Sequence, residues 1–172
     1  MRLFEKMNKI LRDNSKAESY SLYVIDDFKS VEKKLEKWHE ISHSLSITRK
    51  KSETKNREEL VCHLFRILDY IESSLDTYDY DYVDLCQLIK INPEMNLTTK
   101  INKQVSYALS TKSELKKQFE IIYKNFQNMA KKFDDIPMKE ILKRMRKVFG
   151  FEEYKDLTKP DRRTIVSYPS WN

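Results

Sequence analysis

Residues 24–45 read VIDDFKSVEKKLEKWHEISHSL, and their spacing decides the fold. Val24, Phe28, Val31, Leu35, Trp38, Ser42 and Leu45 follow one another in alternating steps of four and three. Residues spaced this way share one face of an α-helix, and a seam so regular is built to meet another helix. Two more stretches repeat the pattern. Between about 57 and 76 the series is Leu60, Leu64, Ile67, Ile71 and Leu75, widened by Val61, Phe65 and Leu68. Further on, Leu115, Phe119, Ile122, Phe126, Met129 and Phe133 keep the same order. The reading is an all-α helical bundle of about five to seven helices, three of them long and amphipathic.

Punctuation divides the chain accordingly. Thr111 with Glu114 reads as a capping box that opens the third long helix. Pro137 begins the next helix, whose apolar face is Met138, Ile141, Leu142, Met145 and Val148, and Gly150 ends it. Shorter helices are expected over 3–11, 82–91 and 97–109, the last two parted by Asn92-Pro93. Residues 21–25 suit a short strand or a helix, and the seam running through Val24 favours helix. From 158 onward periodicity stops. The expected division is one bundle domain over 1–157 and an extended tail over 158–172, whose Tyr168 and Trp171 are expected to dock.

Composition narrows the chemistry. The 172 residues include one glycine, while 35% are charged and 40% hydrophobic. A phosphate-cradling loop or a nucleophile elbow needs glycine to let a ligand approach the backbone, so neither is expected. No apolar run reaches the length of a membrane span. Arg2, Glu5 and Lys6 make the N-terminus charged at once, so no signal peptide is expected, and an intracellular, cytoplasmic setting follows. Cys62 and Cys86 are too few for a disulfide framework and read as buried reduced thiols. Heavy use of Lys, Ile, Asn and Tyr resembles the codon bias of an A+T-rich viral or bacterial genome.

The net charge of +6 is unevenly spread. Residues 58–96 hold 2 basic and 9 acidic side chains, whereas 97–147 hold 13 and 5. Lys117, Lys124 and Lys131 recur every seventh residue, and Lys139, Lys143, Arg146 and Lys147 lie opposite the apolar stripe of the following helix. Arg49, Lys50, Lys51, Lys55 and Arg57 form a further cluster in an expected loop. A Lys-rich face of this kind suits the RNA or DNA backbone or an acidic protein partner. The plainer reading is a solvated face that keeps the protein soluble. Lysine dominance argues against base-specific readout, which prefers bidentate arginine. The acidic run over 76–84 lacks the turn glycine and distal glutamate of a calcium loop. Asp79 or Asp81 as a helix N-cap accounts for it.

Two short motifs carry catalytic alternatives. His39-Glu40-Ile41-Ser42-His43 has the H-E-x-x-H spacing that puts two imidazoles on one helical face. It resembles the zinc-binding helix of zinc metallopeptidases. The resemblance covers five residues and implies His39 and His43 as ligands and Glu40 as general base. Leu35, His39 and His43 also form a ridge where half-buried histidines pack beside the Trp38 seam. Arg57 and His63, with five residues between them, are similar to the Arg–His pattern of HEPN-family ribonucleases, which are small all-α proteins. That resemblance implies proton transfer at His63 and phosphate stabilisation by Arg57. The reading preferred over both is a non-enzymatic interaction protein without a cofactor. Its regular seams also suit a helix from a second copy, so homo-oligomerisation is a further expectation.

Overall fold

A computed structural model describes residues 2–48, 54–133 and 136–151. They form four helices: α1 (Leu3–Ile47), α2 (Thr54–Ile91), α3 (Thr99–Ala130) and α4 (Ile136–Phe149). No strand occurs among the described residues, so residues 21–25 are helical. The tail expected over 158–172, with Tyr168 and Trp171, lies outside the described residues, as does the boundary at 157.

Four helices replace the expected five to seven because the short ones fuse with their neighbours. The 3–11 helix is the start of α1, 82–91 the end of α2, and 97–109 the start of α3. Neither glycine nor proline interrupts any of these junctions, and Asn92-Pro93 makes the break between α2 and α3. The capping box at Thr111 and Glu114 is therefore not a helix start. Thr98 caps α3 instead, its Oγ1 accepting from the Ile101 N–H at 3.3 Å. Thr111 sits buried within α3, where its hydroxyl donates to the Ala108 carbonyl at 2.6 Å. Likewise Asp79 and Asp81 lie inside α2 rather than at an N-cap.

The seam of α1 is buried as expected at Val24, Phe28, Val31, Leu35, Trp38 and Leu45, with Trp38 only 1% exposed. It faces two helices at once. α2 runs antiparallel to α1, tied by the Lys34–Ser74 hydrogen bond. α3 runs parallel to α1: Asn14 meets Thr98, Ser21 meets Gln104, and Trp38 lies 5.3 Å from Phe126. Ser21 on α1 meets the start of α3 through Gln104, and it and Ala17 are fully buried small side chains, which let helix axes approach closely.

The seam of α3 drifts from its expected positions. Leu115, Phe119 and Phe126 are buried, but Ile122 and Met129 are only partly covered while Tyr123 and Ala130 are buried. A straight helix of 3.6 residues per turn falls about 20° behind a seven-residue repeat with each heptad. α3 also serves a second neighbour on that side, α4.

α4 behaves as expected from its sequence. Met138, Ile141, Met145 and Val148 are buried, each worth about 1.5–3 kcal/mol of transfer free energy. Gly150, with φ 72°, closes the helix. The Phe151 N–H reaches the Arg146 carbonyl at 3.0 Å and the Gly150 N–H the Lys147 carbonyl at 3.4 Å, the paired bonds of a Schellman cap. This turn lets residues on both sides of Gly150 reach α3: Phe149 stacks on Phe119 at 4.4 Å, and Phe151 packs on Tyr123 at 5.2 Å.

Candidate functional site

Of the lysines expected to bind, Lys117 and Lys124 lie on α3, Lys131 at its C-cap, and Lys139, Lys143 and Lys147 on α4. Lys117, Lys124 and Lys131 are all exposed, and their seven-residue spacing sets them about 10.5 Å apart along α3. α4 lies antiparallel beside them, fixed by the Phe119–Phe149 stack and by Arg146, whose guanidinium donates to the Tyr123 hydroxyl at 2.6 Å. That register brings Lys139 level with Lys131 at one end and Lys143 level with the stretch between Phe126 and Lys124. Lys139 and Lys143 are exposed, and Lys147 is half-buried. Arg146 differs from the others: half-buried and bound to Tyr123, it holds the two helices together.

A second arginine of α4 faces the acidic helix. Arg144 donates to Asp69 at 2.8 Å and to Glu72 at 3.1 Å, so the charge asymmetry of the sequence becomes a contact between α4 and α2. The acidic third of the chain is mostly α2, and the basic third is mostly α3 and α4. Of the expected basic loop, Arg49, Lys50 and Lys51 and the side chain of Lys55 lie outside the described residues. Arg57 belongs to α2, where its guanidinium covers the Phe133 ring at 4.5 Å.

The catalytic alternatives take the following form. His39, Glu40 and His43 stand on the outer side of α1, all exposed. Neither histidine is half-buried beside Trp38, because the seam turns both toward solvent. Glu40 pairs with Lys37 at 3.5 Å in an exposed contact between adjacent turns. Among the described residues no three His, Cys, Asp or Glu side chains gather into a group able to hold a metal ion. Arg57 and His63 both lie in the regular part of α2, so they diverge by about 120° around its axis. Arg57 packs toward Phe133 and His63 is exposed. Cys62 is exposed rather than buried, Cys86 is half-buried, and both are free thiols.

The most perturbed carboxyls are Asp79, expected from the sequence only as a helix N-cap, and Asp27, which the sequence did not single out. Asp79 is 5% exposed and its Oδ2 has no hydrogen-bond partner. Burial pushes its carboxyl up to about 7, against the pull of Lys112 and with a smaller push from Asp76. Across the α1–α2 interface Asp27 meets Asp81. Burial first, then contact with Asp81 and the nearby Asp26, raises Asp27 to about 8. The signal for these positions was the α2 seam itself. Tyr78, Tyr82, Leu85 and Ile89 continue the four–three order from Leu75, which carries the helix straight through the acidic run.

Compared with protein-family models, curated proteins and solved structures, the chain matches none. No described helix is long and apolar enough to cross a membrane.

Proposed function

We propose that the chain works by binding the phosphate backbone of a nucleic acid through the outer face of α3 and α4. Lys117, Lys124 and Lys131 supply one row of cations, and Lys139, Lys143 and Lys147 a second row beside it. The observation that carries this reading is the exposure of a lysine row at even spacing beside a docked helix that adds its own. Ammonium groups in such a row neutralise backbone phosphates without reading bases, because lysine is a point charge rather than a bidentate fork. Arg146 positions the rows and does not touch the ligand. Binding, rather than catalysis, is the activity, and no cofactor is assigned.

The test is a titration against single- and double-stranded RNA and DNA at two salt concentrations, with a cleavage gel alongside. Affinity falls steeply with salt, and Lys124→Glu and Lys143→Glu each weaken it and lower the salt slope by about one. Unchanged binding in both variants sinks the reading. Selective binding of an acidic protein without affinity for nucleic acid would move the face to the other partner class.

A further inference from the structure

The seam of α1 does not end where the bundle ends. Read backward from Val24, the same four–three order runs through Ser21, Ala17, Asn14, Ile10, Met7 and Leu3. Asn14 is the last of these to be covered: its amide donates to the Asn96 carbonyl at 2.8 Å and its Oδ1 accepts from the Thr98 N–H at 2.9 Å. Beyond it α1 projects past the turn between α2 and α3. Leu3, Phe4 and Leu11 are 75%, 73% and 68% exposed, and Met7 and Ile10 are also exposed. These five side chains lie within about 120° of arc, a stripe of the width that buries a helix against a partner. The bundle templates this helix, so the segment does not bear the cost of nucleating one.

The charges flanking the stripe select the occupant. In heptad terms Leu3 and Ile10 are d positions, Met7 and Asn14 are a positions, Phe4 and Leu11 are e positions, and Lys6 and Asp13 are g positions. If two copies of the segment lie antiparallel, Met7 faces Ile10 of the other copy and Phe4 faces Leu11. Lys6 then lies beside Asp13 of the other copy, twice by symmetry. A parallel pair instead sets Asp13 beside Glu18 of the other copy, which is repulsive, and leaves Lys6 beside Leu11. Charge complementarity therefore favours the antiparallel arrangement.

We infer that the first three turns of α1 form an antiparallel, two-fold symmetric contact with a second copy of this chain. The contact is isologous, with Met7, Ile10, Phe4 and Leu11 in its core and the Lys6–Asp13 pairs at its rim. It is a weak contact, of the class that buries less than about 1,200 Å². It stands independently of the lysine face, since none of the residues is shared.

Sedimentation velocity on the full chain, up to concentrations on the order of 100 µM, reads the contact in the range where so small an interface is populated. The chain dimerises, and Met7→Glu makes it monomeric with its helical circular dichroism and Tm unchanged. Lys6→Asp alone and Asp13→Lys alone each weaken the dimer about tenfold by placing like charges together. Mixing those two variants restores it as a heterodimer, because each Asp of one then meets a Lys of the other. A chain that stays monomeric overturns the inference, as does a dimer indifferent to these substitutions or a mixture that does not recover. So does a monomer that floats with vesicles containing phosphatidylserine, since the stripe would then serve a lipid surface.

Discussion

Asp27 of α1 and Asp81 of α2 bring their carboxyl groups together across the interface between the two longest helices. Two carboxylates in contact can share a hydrogen bond only when one of them carries a proton. Asp27 therefore carries the proton where the two meet, and Asp79, buried two residues before Asp81 on α2, is another carboxyl that burial raises.

A pH dependence of stability follows. Asp27 and Asp79 hold their protons to about 8 and about 7 in the fold, against 3.8 for an ordinary aspartate. Folding thus takes up protons between about pH 4 and pH 8, and stability falls as pH rises through that window. Thermal unfolding at pH 5 and pH 9 gives the lower Tm at pH 9, by about 2–4 °C for each kcal/mol lost in a chain of this size. Asp27→Asn with Asp79→Asn flattens the profile. A Tm at pH 9 equal to that at pH 5 in the unaltered chain would refute the assignment.

Tyr78 and Thr111 tie α2 to α3 inside the bundle. The Thr111 hydroxyl gives its proton to the Ala108 carbonyl, so the Tyr78 hydroxyl is the donor in their 2.7 Å bond. Thr111→Val strands a buried phenol and costs about 1–3 kcal/mol, whereas Tyr78→Phe removes the stranded group and costs less. The double substitution is milder than the sum of the two. Urea denaturation of the three variants measures this coupling, and strict additivity would exclude it.

Asn14 occupies a seam position yet satisfies three backbone groups: the Ile10 and Asn96 carbonyls and the Thr98 N–H. Thr98 is also the cap of α3. Asn14→Leu keeps the size and apolar pattern but takes away a partner from the part-covered Asn96 carbonyl and Thr98 N–H, at a cost of about 1–2 kcal/mol. Greater stability in the leucine variant would show that the seam prefers hydrocarbon there.

Arg144, itself 25% exposed, clamps α4 to Asp69 and Glu72, and the contact opens to solvent at Asp69, which is 64% exposed. Partly exposed pairs of this kind contribute about 0.5–1 kcal/mol. Arg144→Ala therefore loosens α4 more than it destabilises the whole chain. Amide hydrogen exchange should quicken across α4 while the centres of α1 and α2 keep their protection. A uniform change across all helices would contradict the clamp.

Much of the architecture was legible in the sequence because a four–three seam tolerates few readings. The apolar face of α4, its proline start and its glycine end were all plain in residues 137–150. Helix ends were less so. Thr111 and Glu114 carry the capping-box pattern in a place where tertiary burial continues the helix, and the tyrosines of the acidic run fill seam positions that aliphatic residues mark elsewhere. The lysine rows were legible as spacing, but the use of Arg146 and Arg144 as ties depends on which helix each one meets. No residue pattern announced the Asp27–Asp81 contact, since it depends on the register between two helices.

Gly150 is the chain's single glycine, and it lies at the end of α4, the shortest of the four described helices. The permissive backbone position that other proteins place at hinges is thus absent from the 45 residues of α1, which span about 68 Å without a break. Such a molecule has the mechanics of a strut. A load applied at one tip of α1 travels to the far tip as rigid displacement, so two ligands held at opposite ends would keep a fixed separation.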